Sequence, residues 1–100
     1  MPKRLQRAPL HPGEILRGQF MADFGVSINR LARDVRVPPG RIGEIVNERR
    51  AVTPDTALRL ARYFGTTAEF WMNLQMAYDL DIARASLPRI EADVHPIVAA

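Results

Sequence analysis

From His11 to Ala83 the chain is cut into five pieces, each opened by a helix-starting residue and most closed by a helix-stopping one. Strand signals are nearly absent. Proline at the first helical position loses nothing, because that N–H has no helical partner. Serine or threonine just before the helix accepts from the free N–H groups behind it. On these rules the first helix opens at His11-Pro12-Gly13-Glu14, with His11 as a candidate cap. It closes at Gly25, which suits the left-handed conformation that ends helices. The second opens at Ser27 and stops near Arg36-Val37. The third opens at Pro38-Pro39 and runs to Asn47. The fourth has Thr53 as cap, Pro54 behind it and Gly65 at its end. The fifth starts with Thr66 and Glu69 at capping-box spacing and continues through FWMNLQMAYDLDIARA. The fold class is therefore expected to be all-α.

Apolar spacing agrees with helices throughout. The stripes are Leu16, Phe20 and Phe24 with Ile15 beside them; Ile28, Leu31, Ala32 and Val35; Ile42, Ile45 and Val46; and Ala57, Leu58, Leu60, Ala61 and Phe64. The fifth helix differs. Phe70, Trp71, Leu74, Ala77 and Tyr78 make one face, and Met72, Met76, Leu80 and Ala83 extend a second. A helix on a monomer surface needs only one. Either it is the central helix of a small bundle, or one face packs on a second copy. The second reading makes Phe70, Met72, Leu74, Met76 and Leu80 the dimer interface. Phe70 and Trp71 read as core or dimer contacts rather than as a platform for stacked bases. Residues 1–10 are basic, carry prolines and are expected to be mobile. Residues 11–86 form the expected domain, and 87–100 a tail holding one helical turn at most.

The 100 residues include no cysteine, which excludes a disulfide scaffold and any cysteine-ligated metal. A single domain in a reducing compartment, the cytoplasm, is expected. No apolar run approaches the ~20 residues that span a bilayer, and the basic start has no apolar stretch behind it. Two isolated histidines, His11 and His95, and scattered carboxylates give no metal, cofactor or catalytic constellation. Charge is uneven: residues 1–50 carry +5 and residues 51–100 carry −2. A basic half suits a polyanion, and an acidic half suits a protein partner.

The second and third helices sit where that positive charge lies. Ala32 is small enough for a second helix to cross closely, and Ile42 and Ile45 follow at a spacing that lets two short helices share one core. The third helix then has a free side made of Gly40, Arg41, Gly43, Glu44 and Asn47, with Arg49 and Arg50 just beyond. Small and polar residues let a helix enter a groove ~12 Å wide, and arginine meets phosphates or guanine edges. Gly40 and Gly43 weaken a helix by about 1 kcal/mol each, so two in one short helix need a reason, and close approach to DNA is one. Arg41 is the candidate for base contact. Glu44 either accepts from a cytosine amino group or pairs with Arg41. Arg49 and Arg50 are candidates for phosphates.

SINRLARDVRVPPGRIGEIVNERR resembles the helix-turn-helix of the phage-repressor-like (XRE/Cro-type) fold. HPGEIL before it and TPDTALRLARYFGTTAEFWMNLQMAYDL after it resemble the HigA/VapI branch of antitoxins, over roughly residues 9–84. The resemblance implies a five-helix lambda-repressor-like domain with the helix-turn-helix at helices 2 and 3, dimerising chiefly through its last helix. It implies binding to a palindromic double-stranded operator in the chain's own promoter. It further implies neutralisation of a small RNA-cleaving toxin of HigB type, whose contact is expected on acidic residues 66–100 with Glu14, Arg17 and Asp23. The DNA contacts carried over are Ser27, Asn29, Arg30, Pro39, Gly40, Arg41, Gly43, Glu44, Asn47, Arg49 and Arg50. A stand-alone repressor without a toxin, or an interaction module that has lost DNA binding, are the alternatives.

The chain departs from that family's pattern at three places. Arg36 and Glu48 stand where glycine is usual. A left-handed backbone costs a non-glycine residue ~1–2 kcal/mol, so the turn at Arg36 is expected to adjust, and Asn47 to take over the cap beside Glu48. Ile28 stands where phage repressors often have a phosphate-binding glutamine, leaving Asn29 or Arg30 to replace it.

Overall fold

The computed structural model describes residues 9–98, and no strand occurs among them. The expectation for residues 1–8 lies outside the described residues. Helix α1 is one rod made of an α-turn over Pro12–Ile15, a π-helical stretch over Leu16–Met21 and a closing α-turn over Ala22–Phe24. Then come α2 (Ile28–Val35), α3 (Pro39–Val46), α4 (Pro54–Phe64) and α5 (Ala68–Ala83). A 3-10 turn (Arg84–Ser86) leads to α6 (Leu87–Asp93). No helix among the described residues is long and apolar enough to cross a membrane.

Side-chain caps form at four of the five starts, three of them as expected. His11 Nδ1 accepts from Gly13 N–H at 2.9 Å, Ser27 Oγ from Arg30 N–H at 3.1 Å, and Thr53 Oγ1 from Thr56 N–H at 3.4 Å. Helix α3 opens on Pro38 with no side-chain cap. At α5 the cap is Thr67, which accepts from Phe70 N–H at 3.1 Å, and not Thr66. Thr66 instead accepts the indole N–H of Trp71 at 2.8 Å. A fully buried indole needs that partner, so the neighbouring threonine takes the cap.

Two apolar readings need correction. Phe24 and Leu58 are exposed, at 60% and 62%. The π-helical stretch explains the first. Its i→i+5 bonding widens the turn, so Leu16 and Met21, five apart, are both buried while the four-residue step to Phe24 leaves the core. Leu58 lies next to the buried Ala57 but on the outer side of α4. The tail also departs from expectation: it is helical from Leu87 to Asp93, nearly two turns, and every residue from Asp79 to Val98 is exposed.

The core gathers Leu16, Leu31, Ala32, Ile42, Ile45, Leu60 and Trp71, all fully buried. Phe20 of α1 joins the far helices by aromatic contacts to Phe64 (5.2 Å) and Trp71 (5.1 Å). The first turn of α1 packs on both α3 and α5. Contact with α3 is close at Gly13. A Cβ there would overlap the Ile45 carbonyl oxygen and stand 2.7 Å from its carbon. Only glycine fits, because the atom it would strike is backbone and cannot swing away.

Gly13→Ala is therefore expected to destabilise the fold by about 1–3 kcal/mol, the range for forced overpacking. Urea unfolding checks this. Wild-type stability in the alanine variant would mean that α1 and α3 can separate freely.

Candidate nucleic-acid interface

Helices α2 and α3 pack on each other, and the turn between them is left-handed at Arg36 (φ 64°, ψ 46°). The turn does not adjust to avoid the conformation. Val37 N–H donates to the Ala32 carbonyl at 3.0 Å, closing the loop. Arg59 of α4 supports it from outside. Its guanidinium donates to the Val35 carbonyl at 2.9 Å while pairing with Asp55 at 2.9 Å. The Asp55–Arg59 spacing is legible in the sequence, but its reach to α2 is not. Tyr63 was likewise missed. Its hydroxyl bonds Asp34, and with Arg30 it holds that carboxyl below its usual pKa.

Helix α3 buries Ile42, Ile45 and Val46 and turns its other side outward. Pro39, Gly40, Asn47, Arg49 and Arg50 are exposed, and Arg41, Gly43 and Glu44 are half-exposed. A Cβ at Gly40 or Gly43 would meet nothing within 4 Å. Nothing among the described residues requires glycine at either position. On α2, Ser27, Asn29 and Arg30 are exposed in the first turn, with Arg30 bonded to Asp34 at 3.4 Å.

Beyond α3 the cap differs from expectation. Asn47 has φ −92° and Glu48 itself takes the left-handed conformation at φ 64°. Arg49 N–H then donates to the Glu44 carbonyl at 2.8 Å. This reversal sends Arg50 back along α3, where its Nε donates to Glu44 Oε1 at 2.6 Å. Glu44 therefore pairs with Arg50, six residues later, and not with Arg41. Among the described residues Arg41 enters no ion pair.

The loop that follows is pinned to α5. Gln75, buried at 4% exposure, accepts from Val52 N–H at 2.7 Å and donates to Asp79 at 2.9 Å. His11 closes the other side. Its ring lies edge-on to Tyr78 at 4.7 Å. Burial pushes its pKa below the ordinary 6.5, against Glu48, Asp79 and a hydrogen bond to the Arg50 backbone, which favour the charged form. Neither residue stood out by spacing: a buried glutamine on an apolar helix reads as one more exposed polar side chain.

On α5, Trp71 is fully buried and has no face for a base. Met72 and Leu74 pack in part against the chain's own core. Phe70, Met76 and Leu80 are exposed at 37%, 56% and 45%.

The helix-turn-helix family model matches residues 19–71. Virulence-associated protein I of Dichelobacter nodosus is 54% identical over 74% of this chain and 68% of its own length. Antitoxin HigA of Pseudomonas aeruginosa, solved with the higBA promoter, superposes with a TM-score of 0.86 at 45% identity, over 90% of this chain and 99% of that one. An addiction module antidote protein of a HigA family from Coxiella burnetii gives 0.85 at 47%, over 91% and 100%.

His11 makes stability depend on pH. Its Nδ1 can accept from Gly13 only while unprotonated, and a depressed folded pKa means the unfolded chain takes up the proton first. Stability is then full above about pH 6.5 and falls as the pH drops from there through the folded pKa. Urea midpoints are expected to decline as the pH falls below about 6.5, and to decline less in His11→Asn, whose amide oxygen accepts the same N–H. Parallel declines in both proteins would put the effect elsewhere.

Proposed function

The chain belongs to the helix-turn-helix family, in its HigA-type branch, and from that premise we propose that it is an antitoxin that binds and represses its own operator. The observation that carries the DNA half is the bare outer side of α3. Two glycines there weaken an eight-residue helix, yet neither is needed for packing or for backbone conformation. A duplex approaching the α3 backbone supplies the missing reason. The HigA relative solved with promoter DNA supports the same reading.

In this reading Arg41, unpaired among the described residues, contacts a base edge, and Arg49 contacts phosphate. Ser27, Asn29 and Arg30 meet the backbone from the start of α2. The exposed Met76 and Leu80 of α5 meet a second copy, which sets two α3 helices about 34–36 Å apart on one side of the duplex. Met72 and Leu74, partly used by the core, contribute less. The toxin meets Glu14, Arg17 and Asp23 of α1, all exposed, together with the exposed acidic residues of α5 and α6.

Gly43→Ala separates folding from binding. It is expected to stabilise the chain by up to about 1 kcal/mol, through helix propensity alone, and to weaken binding to its own promoter in a gel shift. Arg41→Ala is expected to cost about 1–3 kcal/mol on that promoter and much less on mixed-sequence DNA. Unchanged promoter binding by both variants would remove α3 from the groove.

Sedimentation equilibrium tests the assembly. The chain alone is expected to run as a dimer at micromolar concentration, and Met76→Glu as a folded monomer. Co-expressed with the reading frame beside its own, it is expected to co-purify as a heavier complex. A wild-type monomer refutes the α5 interface. Failure to co-purify refutes the toxin partner and leaves a repressor.

A further inference from the structure

We propose that Arg50 reads a guanine in the operator and that Glu44 is its positioning residue. The inference rests on the reading of α3 as the groove helix. It assigns Arg50 a base rather than the phosphate its position first suggests.

The geometry is specific. Glu44 bonds the Nε of Arg50 at 2.6 Å, and no other hydrogen bond from that guanidinium occurs among the described residues. A guanidinium carries five N–H donors in a rigid plane. With Nε held from behind, both terminal nitrogens remain as a fork, the shape that fits guanine O6 and N7. The pair is half-exposed on each side, at 48% and 44%, so it adds little to stability. Its role lies outside the fold.

Two features argue against a phosphate clamp. Phosphate binding needs only positive charge, and a carboxylate on the outer side of α3 opposes it. The chain nevertheless keeps that carboxylate among Arg41, Arg49 and Arg50. It also places Glu48 in the left-handed conformation, which is what returns Arg50 to Glu44. Backbone strain and an added negative charge are both explained if the product is one fixed guanidinium.

Selection from a randomised duplex library tests this with the full chain and with Glu44→Gln, Arg50→Lys and Arg41→Ala, each checked for folding by circular dichroism. Wild type is expected to enrich a palindromic motif. Glu44→Gln and Arg50→Lys are each expected to lose about ten- to hundredfold preference for guanine at one shared half-site position, and to keep the others. Arg41→Ala is expected to affect a different position. On mixed-sequence duplex, Glu44→Gln is expected to bind as tightly as wild type or tighter. If Arg50→Lys keeps every preference and Glu44→Gln tightens all sequences alike, Arg50 is a phosphate contact and the proposal is wrong. If Glu44→Gln alone relaxes a preference for cytosine, Glu44 reads the base itself, and the proposal is again wrong. A wild-type chain that enriches no motif fails at the earlier step, because α3 then reads no DNA.

Discussion

The Ile45 carbonyl lies where a side chain at residue 13 would have to begin, and the placement of α3 follows from that contact. Glycine lets the first turn of α1 lie directly on the α3 backbone. His11, one turn-start earlier, caps the same N–H and reaches Tyr78 of α5. One short stretch, His11-Pro12-Gly13, therefore fixes α1 against both α3 and α5. Gln75 completes the frame by holding the Val52 N–H, so the loop leaving α3 is tied to α5 as well. The outward side of α3 is aimed by groups that lie behind it and share none of its exposed residues.

Much of this was legible because helix ends are local. Ser27, Thr53, Gly25 and Gly65 act within one turn of themselves, and their residue types report the backbone directly. Errors arose where a distant group competed. Thr66 was drawn from capping by the Trp71 indole, and Phe24 was moved outward by a π-helical stretch that no spacing rule anticipates. The candidate DNA-facing residues were legible as a pattern of small and basic types on one side of α3. Their partners were not. Glu44–Arg50 depends on a reversal at Glu48 that a propensity rule assigns to Asn47.

Helices α1 to α4 all end in the same way, with a left-handed residue at Gly25, Arg36, Glu48 and Gly65. Glycine serves the two ends remote from α3. Arginine and glutamate serve the two that bracket it. Each costs about 1–2 kcal/mol relative to glycine. At Arg36 the Arg59 guanidinium offsets part of that cost by binding the carbonyls of the turn. At Glu48 the turn is held from behind, by His11 at the Arg50 backbone and by Gln75 at the Val52 N–H, and the reversal also returns Arg50 to Glu44. The strain is concentrated at the two ends of the helix proposed to meet DNA, as is common at functional sites.

An eight-residue helix holding two glycines has little stability of its own, since isolated helices need roughly 12–15 residues even with good formers. Helix α3 takes its order from the inside. Ile42, Ile45 and Val46 are buried, and the α1 backbone presses on the Ile45 carbonyl. Burial of such side chains contributes about 1.5–3 kcal/mol each, enough to outweigh the propensity lost at Gly40 and Gly43. Because the inner edge alone keeps the helix folded, the outer side carries no folding duty. Its residues can then be chosen for the shape of a groove, which is why glycine, a poor helix former, can stand twice on the helix proposed to meet DNA.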